Sequence, residues 1–324
     1  MSEGGADPGS RFVHQAVLYD SDEEFLSLVL PLLRDGMAAG EPTFVCVDEP
    51  QERQVRQVLG NGTGVTYLDR PTHHSDPLSA LRANLELFAT EAKSCSGTVR
   101  VVGQTAGAGE QGGCEAWGRY ESVVNHFYAD LPVHSLCAYD RRFTSPSFLD
   151  DVERTHPHLL TASGGSSAND RYIEPSAFLA ERALAELDAL EETPPQVVRR
   201  DPPLVEAREA VAALARTTSL DQDEVFGLVL AVNEAIANAE VHGRPPAELR
   251  AWVAADRVVV TVRDHGPGPA SPFVGLLRGG TEGRLGLWLS NQLCSRVTLT
   301  SDDDGFTIHL VAGTAQPLRT TPVV

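Results

Sequence analysis

Hydrophobic positions change their period along the chain, and the changes divide it. In "SDEEFLSLVLPLLRDGMAAG", residues 21–40, Phe25, Leu28, Val29, Leu32 and Leu33 recur at helical spacing. Ser21 and Glu24 stand at capping-box spacing ahead of them, Gly40 stops the run, and Pro31 is expected to bend the helix. "PTFVCVD", "TVRVVG" and "HSLCAYD" are continuous apolar runs of the kind buried on both faces in a parallel sheet. Helical patterns at 76–94, 114–130 and 175–190 lie between and after them, and "TASGGSSAND" reads as a loop. The expectation for this half is an α/β fold, a parallel-type sheet covered by helices.

"EETPPQVVRRDPP", residues 191–203, mixes prolines with charges and reads as a linker. Beyond it the order changes. An amphipathic helix at 204–217 carries Leu204, Ala207, Val211 and Leu214 on one side, and a longer helix follows at about 221–241. "AELRAWVAA" and "RVVVTVRD" form a hairpin joined near Asp256. A short helix, "LGLWLSNQLC", then leads to the strands "RVTLTS" and "GFTIHLV". Helices on one side of a mostly antiparallel sheet make an α+β sandwich. The expected divisions are a disordered 1–11, a first domain at 12–190, the linker, a second domain at 204–315 and a tail at 316–324.

The longer helix holds "AVNEAIANAEVHG", residues 231–243. At about 100° per residue, Glu234, Asn238 and His242 share one stripe, while Leu228, Val229, Val232, Ile236 and Ala239 can face the sheet. A solvated face usually carries Lys, Arg and Glu, whereas asparagine is a poor helix former. Ala231, Ala235 and Ala237 leave room for a ligand beside the stripe. Downstream, "VRDHGPGP" sets Asp264 at a strand end with Gly266 and Gly268 at D-x-G-x-G spacing. There a carboxylate can accept from an exocyclic amine, and glycine lets the backbone approach a flat base. In "EGRLGLWLSNQL", Gly283 and Gly286 adjoin a helix start whose free amides suit phosphate oxygens. Each piece alone is equally a solvated face, a turn or a plain helix start.

Composition narrows the choices. The chain has 324 residues, is 42% hydrophobic and carries a formal charge of -19, with Lys93 its only lysine. Such a chain repels nucleic-acid backbones and tolerates partners with basic patches. "MSEGGADPGS" lacks the pattern of a secretion signal, and the longest apolar run, "FLSLVLPLL", is too short to span a bilayer. A cytoplasmic protein without membrane contact is expected. Cys46, Cys95, Cys114, Cys137 and Cys294 are scattered, so they read as reduced thiols, and no ligand pair stands at zinc spacing. No Walker A motif occurs.

Taken in order, the N-E-x-x-x-N-x-x-x-H helix, D-x-G-x-G and G-x-x-G-L resemble the GHKL (Bergerat) ATP-binding fold over about residues 200–315. In particular they resemble the anti-sigma-factor serine kinases of the RsbW type. The resemblance implies ATP and Mg²⁺ as cofactors, Glu234 as general base, Asn238 as Mg²⁺ ligand and His242 near the phosphates. It implies Asp264 on the adenine amine, Gly266 and Gly268 beneath the base, and an ATP lid at 269–282. Gly283 and Gly286 would lie under the phosphates, and Thr307 near the nucleotide. The implied partners are a sigma factor and a STAS-domain anti-anti-sigma protein phosphorylated on serine, with a homodimer as in relatives. A sensor histidine kinase would need a phosphoacceptor histidine ahead of this domain, where only the proline-rich stretch and a histidine-free helix stand. A non-catalytic, ATP-dependent adaptor stays open.

"VHQAVLYDSDEEFLSLVLPLLRDGMAAGEPTFVCVD" and "LCAYDRRFTSPSFLDDVERTHPHLL" resemble the MEDS sensory domain over about residues 12–175. That implies a degenerate RecA-like fold that senses a small-molecule ligand. His14, Tyr19, Asp20, Tyr139 and Asp140, beside the strand runs, are its candidate contacts. A MEDS domain ahead of an anti-sigma kinase domain resembles the RsbA-type regulators.

Overall fold

The computed structural model describes residues 11–60, 64–70, 76–95, 97–105, 114–161, 164–185, 187–278 and 285–314. The chain divides after Phe178 into two compact units. The expected N-terminal disorder and C-terminal tail fall almost wholly outside the described residues.

The first unit is an α/β sheet in the order β3-β2-β4-β5-β1-β6-β7. Its strands are β1 (Val13–Tyr19), β2 (Thr43–Cys46), β3 (Val65–Tyr67), β4 (Val99–Gly103), β5 (Val133–Asp140), β6 (His158–Leu160) and β7 (Ser166–Ala168). All neighbours pair in parallel except β6 and β7 at the edge. Helices α1 (Asp22–Ala39), α2 (Glu49–Leu59), α3 (Pro77–Ser94), α4 (Cys114–Phe127), α5 (Pro146–Thr155) and α6 (Pro175–Ala185) connect or follow the strands.

Helix α1 forms where its pattern places it. Phe25, Leu28, Val29, Leu32 and Leu33 are buried against Val17, Tyr19, Val45, Val102, Leu136 and Ala138. Ser21 caps it through the Glu24 N–H, but Glu24 accepts from the Asp20 N–H rather than that of Ser21. Gly40 closes it at φ 67, a left-handed conformation open to glycine. The helix is continuous through Pro31, which faces solvent. Helix α6 ends five residues short of the expected 190, before a 3-10 turn (Ala189–Glu192) capped by Asp188.

The second unit is an antiparallel sheet in the order β11-β12-β10-β9-β8. Strands β8 (Val197–Arg200), β9 (Glu248–Ala254), β10 (Arg257–Asp264), β11 (Arg296–Asp302) and β12 (Gly305–Gly313) pack with α7 (Leu204–Ala215), α8 (Gln222–His242) and α9 (Leu285–Leu293). One face carries the core, with Leu228, Val232, Ile236 and Ala239 of α8 against Leu249, Val258, Val260, Val262, Ile308 and Leu310. Val229, expected inward, is only half-buried, and Ala231 is part of the core. Gly227 lets α9 approach, since a Cβ there would lie 2.9 Å from Leu293 O. Asp221 and Glu224 close a capping box at the start of α8.

The linker expected at 191–203 is corrected. Val197–Arg200 is an edge strand paired with β9, and the Trp252 Nε1–H donates to Thr193 O at 2.8 Å. Just upstream, Asp188 and Arg257 form a buried ion pair at 3.2 Å. Prolines 194, 195, 202 and 203 flank the strand without interrupting it, which an edge position tolerates. Among the described residues, no helix is long and apolar enough to cross a membrane.

Candidate functional site

Asn238 and His242 of the polar stripe on α8 stand in one wall of a cleft. Ala235, Asn238, Ala239 and His242 come from α8, Val262 and Asp264 from β10, and Gly268 from the following loop. Gly243 after α8, Leu287 of α9 and Phe306 and Ile308 of β12 complete the lining. The 3.6-residue period brings Asn238 and His242 to the same side, and the sheet places Asp264 opposite them.

Asp264 ends β10 and is 5% exposed. Its Oδ1 accepts from the Arg244 N–H at 3.1 Å and from the Gly266 N–H at 2.6 Å. These bonds orient the carboxylate and leave Oδ2 for a donor in the cleft. The turns that supply them are tight. A Cβ on Gly243 would collide with the Asp264 carboxylate, and one on Gly266 would lie 2.7 Å from Oδ1. Gly268 has φ +70, and a Cβ there would lie 2.5 Å from the Phe306 ring. The backbone at Gly268 thus packs directly on Phe306, with no room for a side chain.

Asn238 Nδ2 is buried without a hydrogen-bond partner. An unpaired buried amide costs about 1–3 kcal/mol, which an accepting ligand removes. Its amide offers Oδ1 to a hard cation and Nδ2–H to a phosphate oxygen. Together with Asp264 and the close-lying glycine backbone, this donor set fits a purine nucleotide and Mg²⁺. His242, exposed at the helix end, lies at the cleft mouth.

Glu234 is not among the residues lining this cleft. It lies one turn back along α8, against the first turn of α9, where a Cβ on Gly286 would collide with its Oε2 and lie 3.1 Å from its own Cβ. Gly286 is therefore the space in which Glu234 sits. Gly283 lies outside the described residues, as does 279–282 of the expected lid. In the described part of the lid, Val274 packs on the core and Gly275 O accepts from Asn291 Nδ2 at 3.3 Å.

Thr307 is corrected. Phe306 and Ile308 face the cleft, so the two-residue period of β12 puts Thr307 on the far side of the sheet. There its Oγ1 accepts from Arg263 at 3.2 Å.

Residues 200–312 match the family described as histidine kinase-like ATPase domain, and residues 13–157 match MEDS, the methanogen/methylotroph, DcmR sensory domain. Residues 13–157 are thus a MEDS domain, and residues 200–312 a histidine kinase-like ATPase domain. Two solved structures are similar in part. The RsbU and RsbW domains of a Mycobacterium tuberculosis protein match at 23% identity and TM-score 0.27, over 40% of this chain and 35% of that one. The histidine kinase domain of a blue-light activated kinase from Erythrobacter litoralis matches at 19% identity and TM-score 0.25, over 41% of this chain and 71% of that one. The chain thus spans about a third of the first of these. No curated protein matches.

In the MEDS domain the five candidate contacts separate. His14 stands near the start of β1, whereas Tyr19, at its other end, pairs in register with Asp140. Alternation sends His14 and Tyr139 to one face and Tyr19 and Asp140 to the other. Tyr19 packs beside Phe25 under α1. Asp140 accepts from Arg142, which also binds Asp22, and Asp20 is exposed. The Tyr139 hydroxyl lies 3.3 Å from Thr105 Oγ1. Only His14 of the five lines a pocket of this domain that is also lined by Glu121, Cys137, Tyr120 and Phe88. Glu121 and Cys137 escaped the sequence reading because nothing in their spacing joins them to His14.

Proposed function

We propose that this protein is an ATP-dependent anti-sigma regulator, in which the ATPase domain binds Mg·ATP, sequesters a sigma factor and phosphorylates a serine of a STAS-domain antagonist. The MEDS domain biases that activity through a small-molecule ligand. The observation that carries the nucleotide part is the pairing of two groups in one cleft: Asp264, anchored by two backbone amides, and the unpartnered amide of Asn238. Asp264 holds the adenine amine, Asn238 holds Mg²⁺, and His242 stands near the phosphates. The nucleotide supplies the phosphoryl group, and Glu234 takes the proton of the acceptor hydroxyl. The formal charge of -19 suits a basic surface on a protein partner. A homodimer is part of the same proposal.

A second reading, nucleotide-dependent binding without turnover, draws support from Glu234, whose side chain sits against Gly286 and not in the cleft wall. Incubating the protein with radiolabelled ATP and candidate STAS proteins separates the two. Label on a STAS serine, lost in Glu234→Gln with ATP affinity retained, supports the kinase. ATP binding with no label on any partner supports the adaptor.

A further inference from the structure

We propose that His14, Glu121, Cys137 and His156 of the MEDS domain form a divalent transition-metal site, best suited to Zn²⁺, that opens onto the domain's cavity. The four come from separate elements: His14 from β1, Glu121 from α4, Cys137 from β5 and His156 from the residue after α5. All are buried, and one ligand atom from each lies within 4.8 Å of every other.

The spacings match coordination. His14 Nε2 is 3.4 Å from Cys137 Sγ and 3.4 Å from Glu121 Oε2, and His156 Nε2 is 3.7 Å from the same Oε2. Tetrahedral bonds of ~2.0–2.3 Å to zinc place neighbouring ligand atoms about 3.3–3.8 Å apart. A self-sufficient polar network would instead pair these atoms. Glu121 Oε2 and His156 Nε2 are both buried without a hydrogen-bond partner.

The surroundings aim the lone pairs at a common centre. His156 Nδ1 donates to Val152 O at 2.8 Å, which leaves Nε2 as the acceptor atom. His14 Nδ1 is 3.1 Å from Asn125 Oδ1, and Asn125 spends its Nδ2 hydrogens on backbone oxygens, including Thr155 O at 2.8 Å. That fixes Oδ1 as acceptor and His14 Nε2 as a lone pair. Thr105 donates to Glu121 Oε1, leaving Oε2 turned toward the cluster. Two imidazoles, a thiolate and a carboxylate suit zinc and its neighbours and disfavour Mg²⁺ and Ca²⁺. On binding, Cys137 gives up its thiol proton to solvent and bonds through sulfur.

His14, Glu121 and Cys137 also line the cavity, where Phe12, Phe88 and Tyr120 supply apolar wall. The ion therefore sits at the wall of this pocket, and a ligand arriving from it would add a fifth bond to the tetrahedral set. The site lies within the MEDS domain and stands whether or not the ATPase domain transfers phosphate.

The test uses the full chain, stripped with a chelator and titrated with Co²⁺, then with Zn²⁺. One Co²⁺ per chain, a thiolate-to-cobalt absorption band and its displacement by Zn²⁺ are expected. Cys137→Ser should abolish the band and weaken binding at least about tenfold, and Asn125→Ala should weaken it ~10–100-fold. Cys46→Ser removes another thiol of the same cavity, outside the cluster, and should leave the band intact. A folded wild type without the band, or a band unchanged in Cys137→Ser, overturns the proposal. If circular dichroism shows Cys137→Ser unfolded, His156→Gln decides: weakened Co²⁺ binding supports the site, and unchanged affinity overturns it.

Discussion

Asp264 and Gly266 are joined by a 2.6 Å hydrogen bond from the glycine N–H to the carboxylate Oδ1, which also accepts from Arg244. The carboxylate thus ties two loops together and still presents an oxygen to the cleft. Asp264→Asn keeps an oxygen for both backbone donors but replaces the cleft acceptor by an N–H. Nucleotide affinity should fall at least about tenfold, since a hydrogen bond to a charged group contributes ~1.5–3 kcal/mol. The thermal midpoint should change little. Calorimetric titration with Mg·ATP and a melt of each protein check both halves.

Asn238 should separate stability from binding. Asn238→Ala removes an unpaired buried N–H and improves helix propensity, so stability should hold or rise by roughly 0.5–1 kcal/mol. Mg²⁺-dependent nucleotide binding should fall in the same variant. Urea titration beside nucleotide titration, with and without Mg²⁺, reads the two effects. A destabilised variant that binds normally would mean that Asn238 is structural.

Gly286→Ala places a methyl where Glu234 now sits. Phosphoryl transfer should fall by at least about tenfold, a barrier increase of ~1.4 kcal/mol, with a smaller change in ATP affinity. Single-turnover transfer to a STAS substrate, compared with equilibrium nucleotide binding, gives the split.

Asp188→Ala removes the buried partner of Arg257 and leaves it only Asp256, at 3.1 Å, so the second unit should lose stability by up to about 3 kcal/mol. A protein beginning at residue 204 lacks both Asp188 and β8 and should melt earlier than one beginning at 187. Equal melting of the two would restore 191–203 as a dispensable linker.

His134, on β5, has its pKa held down to about 4 by burial and by the nearby Arg100 charge. The unfolded chain, with an ordinary value near 6.5, binds the proton first as pH falls. The contribution is therefore complete above about pH 6.5 and is lost as pH drops toward 4, with a size on the order of 3 kcal/mol. His134→Gln should flatten that part of the stability–pH curve, measured by urea unfolding between pH 7 and pH 5.

Local patterns in the chain determined most elements, because helix and strand periods mark the face that must be buried. The bounds of α1, α3, α8 and β10 follow from caps and apolar spacing within a residue or two. Asn238, His242, Asp264 and Gly268 stood out in the sequence because each lies in a short local motif, and they line one cleft. Tertiary structure decided what depends on pairing. Within 191–203, Val197–Arg200 became a strand because β9 offered an open edge, which the surrounding prolines and charges do not reveal. Thr307 went to the far side because its neighbours Phe306 and Ile308 are held by the core, and register moves every second side chain together. His14, Glu121, Cys137 and His156 meet only because β1 and β5 are parallel neighbours and α4 and α5 pack together. No spacing within the sequence encodes that meeting, since four separate elements must first fold around a common core.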